Sequence, residues 1–527
     1  MKLKEKLSAK IVFTAIIDKS KQISKNVVTS KKNCNQILEL FEIIQEHKTS
    51  EEISVACIRA LHKIFCHYLE AGEMQYTLPE SSDTDDANVS KFRQWLKDRY
   101  SESRQILLEY LLHEFVAVKE LSLCTLMKYV ETEGKKQLVG KSTSTASFPV
   151  SLFEKIIESL VQSAENQEEL IERFQEYLDY DDVRHYYMKY LLSFIKQLKT
   201  DGIDSEDLTA NHHLTNTLMA LSILKLPPNG VKLSNMLIPV DNAISGITSV
   251  KAQRELYTRL WLEFFNTKLT SAIYKKILIA LPDKIIPHLS DPLVVSDWLL
   301  SCYDKGGAVS LMALNGLFIL MTQHSLEYPD FYTKLYSIMS TEIFSVKYMA
   351  RFFHLLDMFL QSLLLPTYIT AAFIKKLARM ALTAPPSAAL LVIEFIINLL
   401  IRHNTCRFLI HRDTCCDEQT DPFLPLQADL SKCRAAESSL WEIKTLQKHW
   451  HHRVATEAKR IEQVLPKVES SLDVLLEGNY DALMKSETRK VKKAKSRHAD
   501  VALNHSTPSK LFKWECKDLE DLWICQD

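Results

Sequence analysis

Glycine is the residue this chain most lacks: 10 among 527 positions, about 2% where roughly 7% is usual. Proline is also scarce, at 16. So few glycines leave little means to close tight hairpins, cradle a phosphate on backbone or line a dinucleotide crevice. Most nucleotide-binding enzyme folds and most β-sandwiches are thereby disfavoured. A dominant charge is missing too. The 65 basic and 66 acidic side chains leave a formal net charge of −1, so no global field drives the whole surface onto nucleic acid or anionic membrane. The 11 cysteines, odd in number and scattered, make no spaced disulfide framework. The first residues alternate lysine with apolar side chains and carry no secretory cleavage pattern. A reducing compartment, cytosol or nucleus, is the expectation. Apolar runs of bilayer-crossing length are missing as well. The longest candidates, 308–321, 352–365 and 388–401, have 14 residues each, where ~20 are needed. His354 and Asp357 interrupt the second and Glu394 the third. They read as buried helices, with membrane attachment as the alternative.

What is present is helix after helix. Thr49 and Glu52 have capping-box spacing and predict a helix to about Glu70. Wound at 100° per residue, Ile53, Cys57, Leu61, Ile64, Phe65, Tyr68 and Leu69 share one arc, and Gly72 is a stop signal. A second helix is expected over Tyr368–Thr383. Ile369, Phe373, Ile374, Leu377 and Met380 lie on one face, Lys375, Lys376 and Arg379 opposite, and Pro385-Pro386 ends it. A polar loop over Asp413–Arg434 precedes what reads as one long polar helix, Ala435 to about Leu465. Stacked hairpins with short connections predict an all-α fold, a degenerate HEAT- or armadillo-like α-solenoid with basic flexible termini. The expected divisions are a basic arm over 1–32, helical repeats over 33–200 and 201–305, a helical domain over 306–465, and a charged tail over 466–527.

The ends carry the unpaired charge. Residues 1–32 hold nine lysines against Glu5 and Asp18, and residues 485–497 hold seven basic residues against Glu487. The run Arg489, Lys490, Lys492, Lys493, Lys495 and Arg497 suits a nuclear import receptor or RNA phosphates. No aromatics interleave with it in stacking positions, so sequence-specific readout is not indicated.

Signs of chemistry are sparse. Gly140-Lys141-Ser142-Thr143 ends like a phosphate loop, but Gly134 stands one residue too far upstream and helix, not strand, precedes it. It reads as a surface loop. His403, Cys406, His411, Cys415, Cys416 and Cys433 include two zinc-like spacings without a second tight pair after Cys433. They read as buried thiols and loop residues. His449, His451 and His452 fall on a polar stretch. No nucleophile elbow, zincin helix or kinase set occurs. The expectation is a binding protein without catalysis, metal or cofactor.

The region Tyr328–Val454 resembles a known domain. Tyr328-Pro-Asp-Phe-Tyr332, Lys334-Leu-Tyr336, Arg351-Phe-Phe-His-Leu-Leu-Asp357, Ala371-Ala-Phe-Ile-Lys375, Leu377-Ala-Arg379, Ala384-Pro-Pro386 and Glu437-Ser-Ser-Leu-Trp-Glu442, with Leu446 and His449, are similar to the CCAAT-binding-factor domain. Within that family the resemblance is to the nucleolar complex protein 4 branch. One departure is His452, where the family often has proline. The resemblance implies a helical docking platform in the nucleolus, partnered by nucleolar protein 14 within the small-subunit processome. Such a protein would support small-subunit rRNA maturation and subunit export. It also implies an alternative residence at the nuclear membrane, and the family's historical name suggests a transcription cofactor as the rival function. The expected partner surface comprises Tyr332, Arg351, Phe352, Phe353, Asp357, Lys375, Arg379 and Trp441. Since neighbours on a helix lie 100° apart, at most one of Phe352 and Phe353 is expected to point fully inward.

Overall fold

A computed structural model of the chain describes residues 2–74, 84–136, 148–163, 165–200, 208–228, 233–238, 249–411, 421–425 and 429–476. It also describes positions 231, 247, 427, 481, 483–485, 488 and 489. Every regular element among the described residues is helical. The chain divides into two compact units, Met1–Glu327 and Tyr328–Asp527.

The first unit contains α1 (Lys2–Thr29), α2 (Gln36–Glu46), α3 (Glu51–Ala71), α4 (Thr84–Tyr110), α5 (Val116–Lys135), α6 (Val150–Val161) and α7 (Glu168–Phe174). These are followed by α8 (Asp181–Thr200), α9 (Leu208–Ser222), α10 (Val250–Phe265), α11 (Ser271–Ala280), α12 (Ser296–Tyr303) and α13 (Gly307–His324). Their packing is next-but-one. α1 lies on α3, α3 on α5, α5 on α7, α7 on α9, α9 on α11 and α11 on α13; α4, α6, α8 and α10 make the second row. Two rows of helices, each element covering the one two places along, are the packing of an α-solenoid.

α3 shows why the sequence folds this way. All seven residues of its expected arc are buried, and Gly72 ends it at φ 74°, a left-handed conformation that costs glycine little. Its start differs from expectation. Ser50 is the N-cap, no side-chain cap bond forms, and Thr49 lies outside the helix. The basic amino-terminal stretch differs more. Lys2–Thr29 is one helix, and Ser20, Ile23, Ser24 and Val27 are buried. Tyr68 of α3 donates its hydroxyl to the Val27 carbonyl at 2.9 Å. This part of the arm belongs to the solenoid because its small and apolar residues recur at three- and four-residue steps.

An irregular segment, 233–238, is also built into this unit. Asp182 accepts the N–H groups of Leu237 and Ile238, both at 3.0 Å, and Asp181 accepts that of Asn235 at 3.1 Å. The Asp181 N–H in turn donates to the Asn235 carbonyl at 2.7 Å. Ile238 fits a notch at Gly134, where an added Cβ would stand 2.1 Å from the Ile238 Cδ1.

The second unit contains α14 (Phe331–Ile338), α15 (Met349–Phe359), α16 (Thr367–Ala381), α17 (Pro386–Arg402), α18 (Trp441–Leu446), α19 (His452–Lys459) and α20 (Asp473–Leu476). Pro386 opens α17 at a position whose N–H has no intrahelical partner. α16, α19 and α20 pack on α17, and every side chain from Ala388 to Leu400 is buried. The charge in that apolar run, Glu394, pairs with Arg460. The run 352–365 is helical only to Phe359. Gly307–His324 alone among the described helices is long and apolar enough to cross a bilayer, yet its side chains from Val309 to Leu317 are all buried, and α11 and α12 pack against it. Most of the apolar surface of 308–321 and 388–401 is therefore used within the units, and in 352–365 the exposed leucines, Leu363 and Leu364, lie beyond the helix, which gives no support to membrane attachment through these runs.

Candidate functional site

Lys375 and Arg379 stand one turn apart on α16, on the face that the helical wheel leaves to solvent. Instead, the chain returns over that face. Asp421, Phe423 and the segment Ser438–Glu442 close on it, and the Lys375 side chain is 0% exposed. Its ammonium has three N–H donors. It donates to Glu442 Oε2 at 2.9 Å and to the Ser439 carbonyl at 2.6 Å, and its charge stands 2.8 Å from Glu442 Oε1 and 3.2 Å from Asp421 Oδ2. Arg379 adds Nε to Glu442 Oε1 at 3.0 Å and Nη2 to Asp421 Oδ2 at 2.9 Å. Trp441 donates its indole N–H to Asp421 at 2.7 Å, and its ring lies 4.9 Å from the Arg379 guanidinium carbon and 5.4 Å from the Lys375 ammonium. Ser438 Oγ and the Phe423 N–H complete the shell of Asp421 at 2.5 and 3.2 Å.

Two positive and two negative side chains thus neutralise one another away from water. That is tolerable because Asp421 is surrounded by donors and Arg379 keeps a third of its surface in water, while Glu442 Oε1 and Arg379 Nε are held by charge at 3.0 Å without an aligned hydrogen bond. Burial pushes the Asp421 carboxyl up, but the Ser438, Trp441 and Phe423 donors and the Lys375 charge reverse this and hold it well below the carboxylate range. Glu442 is the contrary case: burial raises it, and Lys375 pulls back less strongly. The network's work is to hold backbone. The Ser439 carbonyl serves Lys375 and Ser438 is extended (φ −87°, ψ 174°), so 435–465 is not one long helix. It breaks into a short turn, α18, and α19 after a second interruption near His451.

This revises most of the expected partner surface. Lys375 is core, and Arg379 is two-thirds covered and ion-paired. Phe352 and Phe353 are both 0% exposed, against the expectation that one would face outward. The reason is that α15 is covered on more than one side: Phe353 meets Phe395 of α17 at 5.6 Å and Phe344 at 6.4 Å, with Phe352 edge-on at 5.5 Å. Asp357 is held by Arg402 at 3.0 Å. Tyr332 is half-buried, its hydroxyl donating to the Phe359 carbonyl at 3.3 Å. Arg351 is exposed, and Trp441 shows 38% of its surface.

The zinc-like cluster disperses. His403 donates to the Leu360 carbonyl at 3.0 Å, the Cys406 thiol meets Thr370 at 2.9 Å, Cys433 bonds the Leu430 carbonyl at 3.1 Å, and His411 is exposed. Among the described residues no group of three or more ligand-type side chains is placed to hold a metal. Cys415, Cys416, the Gly140–Thr143 loop and residues 490–497 of the basic run lie outside the described residues; Arg489 is exposed. Sequence reasoning passed over Asp421 altogether and singled out Glu442 only as the end of a motif. The signal was there in Lys375 and Arg379, two cations sharing a narrow stripe on a helix otherwise rich in alanine and apolar residues.

Comparison with known proteins places these features. A family model described as the CBF/Mak21 family matches residues 310–458, which include all four charges of the network. Another, described as Nucleolar complex protein 4-like, TPR repeats, matches residues 17–200. TPR repeats are helical hairpins of about 34 residues. The chain is 40% identical over 477 residues to nucleolar complex protein 4 homolog A of Xenopus laevis, spanning 88% of this chain and 89% of the relative. It is 40% identical over 472 residues to the Gallus gallus homolog (88% and 92%) and 38% over 458 residues to that of Homo sapiens (86% and 88%). With likeness running through both units, from the solenoid to the charge network, the chain belongs to the nucleolar complex protein 4 family.

Proposed function

We propose that this chain is a non-catalytic assembly factor of the nucleolus that supports maturation of the small ribosomal subunit, acting as a helical scaffold bound to nucleolar protein 14. The observation that carries this reading is near full-length likeness, at about 40% identity, to relatives named as nucleolar complex proteins. The architecture supports it. A solenoid presents long ridged faces suited to binding other proteins, and the charges gathered on α16 are committed to holding backbone. Arg351 and Trp441 remain as contacts for a partner. The basic stretches at 2–32 and 489–497 are contacts for pre-ribosomal RNA or an import receptor.

The test is affinity purification of the tagged full chain from nuclease-treated nuclear extract, read by mass spectrometry. The expected result is nucleolar protein 14 in near-equal amount, with other small-subunit factors depleted. Recovery of chromatin factors, with neither that partner nor any processome component, would overturn the reading in favour of a transcription cofactor. Imaging of the tagged chain is expected to show nucleolar concentration.

A further inference from the structure

α17 carries a second polar arrangement, and this one reads main chain. Asn398 is 3% exposed. Its amide Nδ2 donates to the Ser470 carbonyl at 2.8 Å, and its Oδ1 accepts the Ser470 N–H at 3.0 Å. Both backbone groups of Ser470 are therefore satisfied by a single side chain, as a neighbouring strand would satisfy them. One turn on, Arg402 makes a two-point contact with Glu469, Nε to Oε1 at 2.9 Å and Nη2 to Oε2 at 2.6 Å, and is braced from behind by Asp357 at 3.0 Å. The Arg402 hydrogen bonds hold the Glu469 carboxyl below its usual range.

The segment seated there is otherwise loosely engaged. Val464 is 98% exposed and Val468 77%, and Pro466, Lys467 and Ser471 are exposed too. A strap that used its apolar side chains to cover α17 would turn the valines inward. Here they face water, so the hold rests on Asn398, Arg402 and the short helix α20 that follows. Recognition thus depends on the main chain of Ser470 and the Glu469 carboxylate, features that a segment of another protein can also supply. A segment held by so few groups also opens at low cost relative to the core beneath it.

We propose that the Asn398–Arg402 edge of α17 is a docking site for an extended acidic peptide segment of a partner protein, and that residues 468–472 fill it as an internal stand-in. The site requires an acidic residue followed directly by a residue other than proline, because the second must donate its N–H to Asn398. This proposal rests on the geometry alone: its failure would leave the pairing with nucleolar protein 14 untouched, and the reverse also holds.

The test uses the full chain and a fluorescent peptide copying residues 463–473, with binding read by fluorescence polarisation. Two substitutions open the strap, Glu469→Lys by repelling Arg402 and Ser470→Pro by removing the N–H. Both opened chains are expected to bind the peptide at least tenfold more tightly than the unmodified chain. Peptides carrying Glu469→Lys or Ser470→Pro are expected to lose that binding, a control that leaves the protein unaltered. Hydrogen exchange in α16 and α17 checks that the opened chains stay folded; the exposed Glu469→Lys change carries the test if Ser470→Pro disturbs the unit. Equal binding by closed and opened chains, binding that ignores the two peptide changes, or no binding by a folded opened chain would each overturn the proposal and leave the strap an internal brace.

Discussion

Both units fix an irregular stretch of backbone with buried charge, but they do it with different partners. In the first, Asp182 receives the N–H groups of Leu237 and Ile238, and burial pushes its carboxyl up against the pull of the Leu237, Ile238 and Val183 amides, while its neighbour Asp181, which receives that of Asn235, is also paired with the buried Arg184. In the second, Lys375 and Arg379 hold Asp421, Glu442 and the Ser439 carbonyl through full opposite charges. The difference lies in what remains when one member is lost. Removing an acceptor of amide N–H groups strands neutral donors, at about 1–3 kcal/mol; removing one side of a buried ion pair strands a charge, at about 3–5 kcal/mol. The second arrangement is the more specific and the less forgiving.

The comparison breaks most visibly at Lys375. Lys375→Met is expected to cost the second unit about 3–5 kcal/mol, seen in urea titration followed by hydrogen exchange as early opening of α16–α18 with α1–α5 unaffected. A further Glu442→Gln should recover part of the loss by removing the stranded carboxylate. An unchanged second unit would show that the network does not hold it. Next in size, Asp182→Ala is expected to cost about 1–3 kcal/mol and to speed exchange at the Leu237 and Ile238 amides. A loss as large as that at Lys375 would erase the distinction between the two devices. Gly134→Ala drives a methyl into Ile238 and should cost about 1–3 kcal/mol. If the notch is the cause, Ile238→Ala in the same chain will cost less than the sum of the two changes.

The smallest effect expected is an acid slope. A carboxyl whose folded pKa lies below its unfolded value stabilises fully above the unfolded value, near 3.9 for aspartate, and loses that contribution as pH falls. Asp421 is such a group, while the raised Glu442 beside it works the other way. Stability of the second unit should therefore fall as pH drops below about 4, and Asp421→Asn should flatten that slope. A slope identical in both proteins would mean that Asp421 does not contribute it.

How far the sequence could be read depended on what lay within one helix. The buried arc of α3, its stop at Gly72 and the burial of α17 follow from periodicity and composition along a single element. The fate of Lys375 does not. A helical wheel ranks the faces of α16, but whether its polar face meets water is decided by residues 421 and 438–442, far along the chain. The same blindness hid the second aromatic of α15, since the neighbours of Phe353, Phe344 and Phe395 of α17, come from other elements. The break at Ser438–Ser439 was hidden because helix propensity carries no record of a carbonyl claimed by a distant lysine. The TPR-type character of residues 17–200 was likewise out of reach, because degenerate hairpins leave no period to count.

The 67 positions separating Lys375 from Glu442 also have a consequence in time. At roughly 5–20 residues per second of synthesis, α16 waits on the order of 3–13 s after Lys375 is made before its counter-charge has even been polymerised. In the first unit Asp182 likewise waits for Ile238, 56 positions on. Until Asp421 and then Glu442 have been made, the nascent second unit holds an ammonium without its full set of counter-charges, which keeps α16 open to water and delays closure until the motif ending in Glu442 has cleared the exit tunnel.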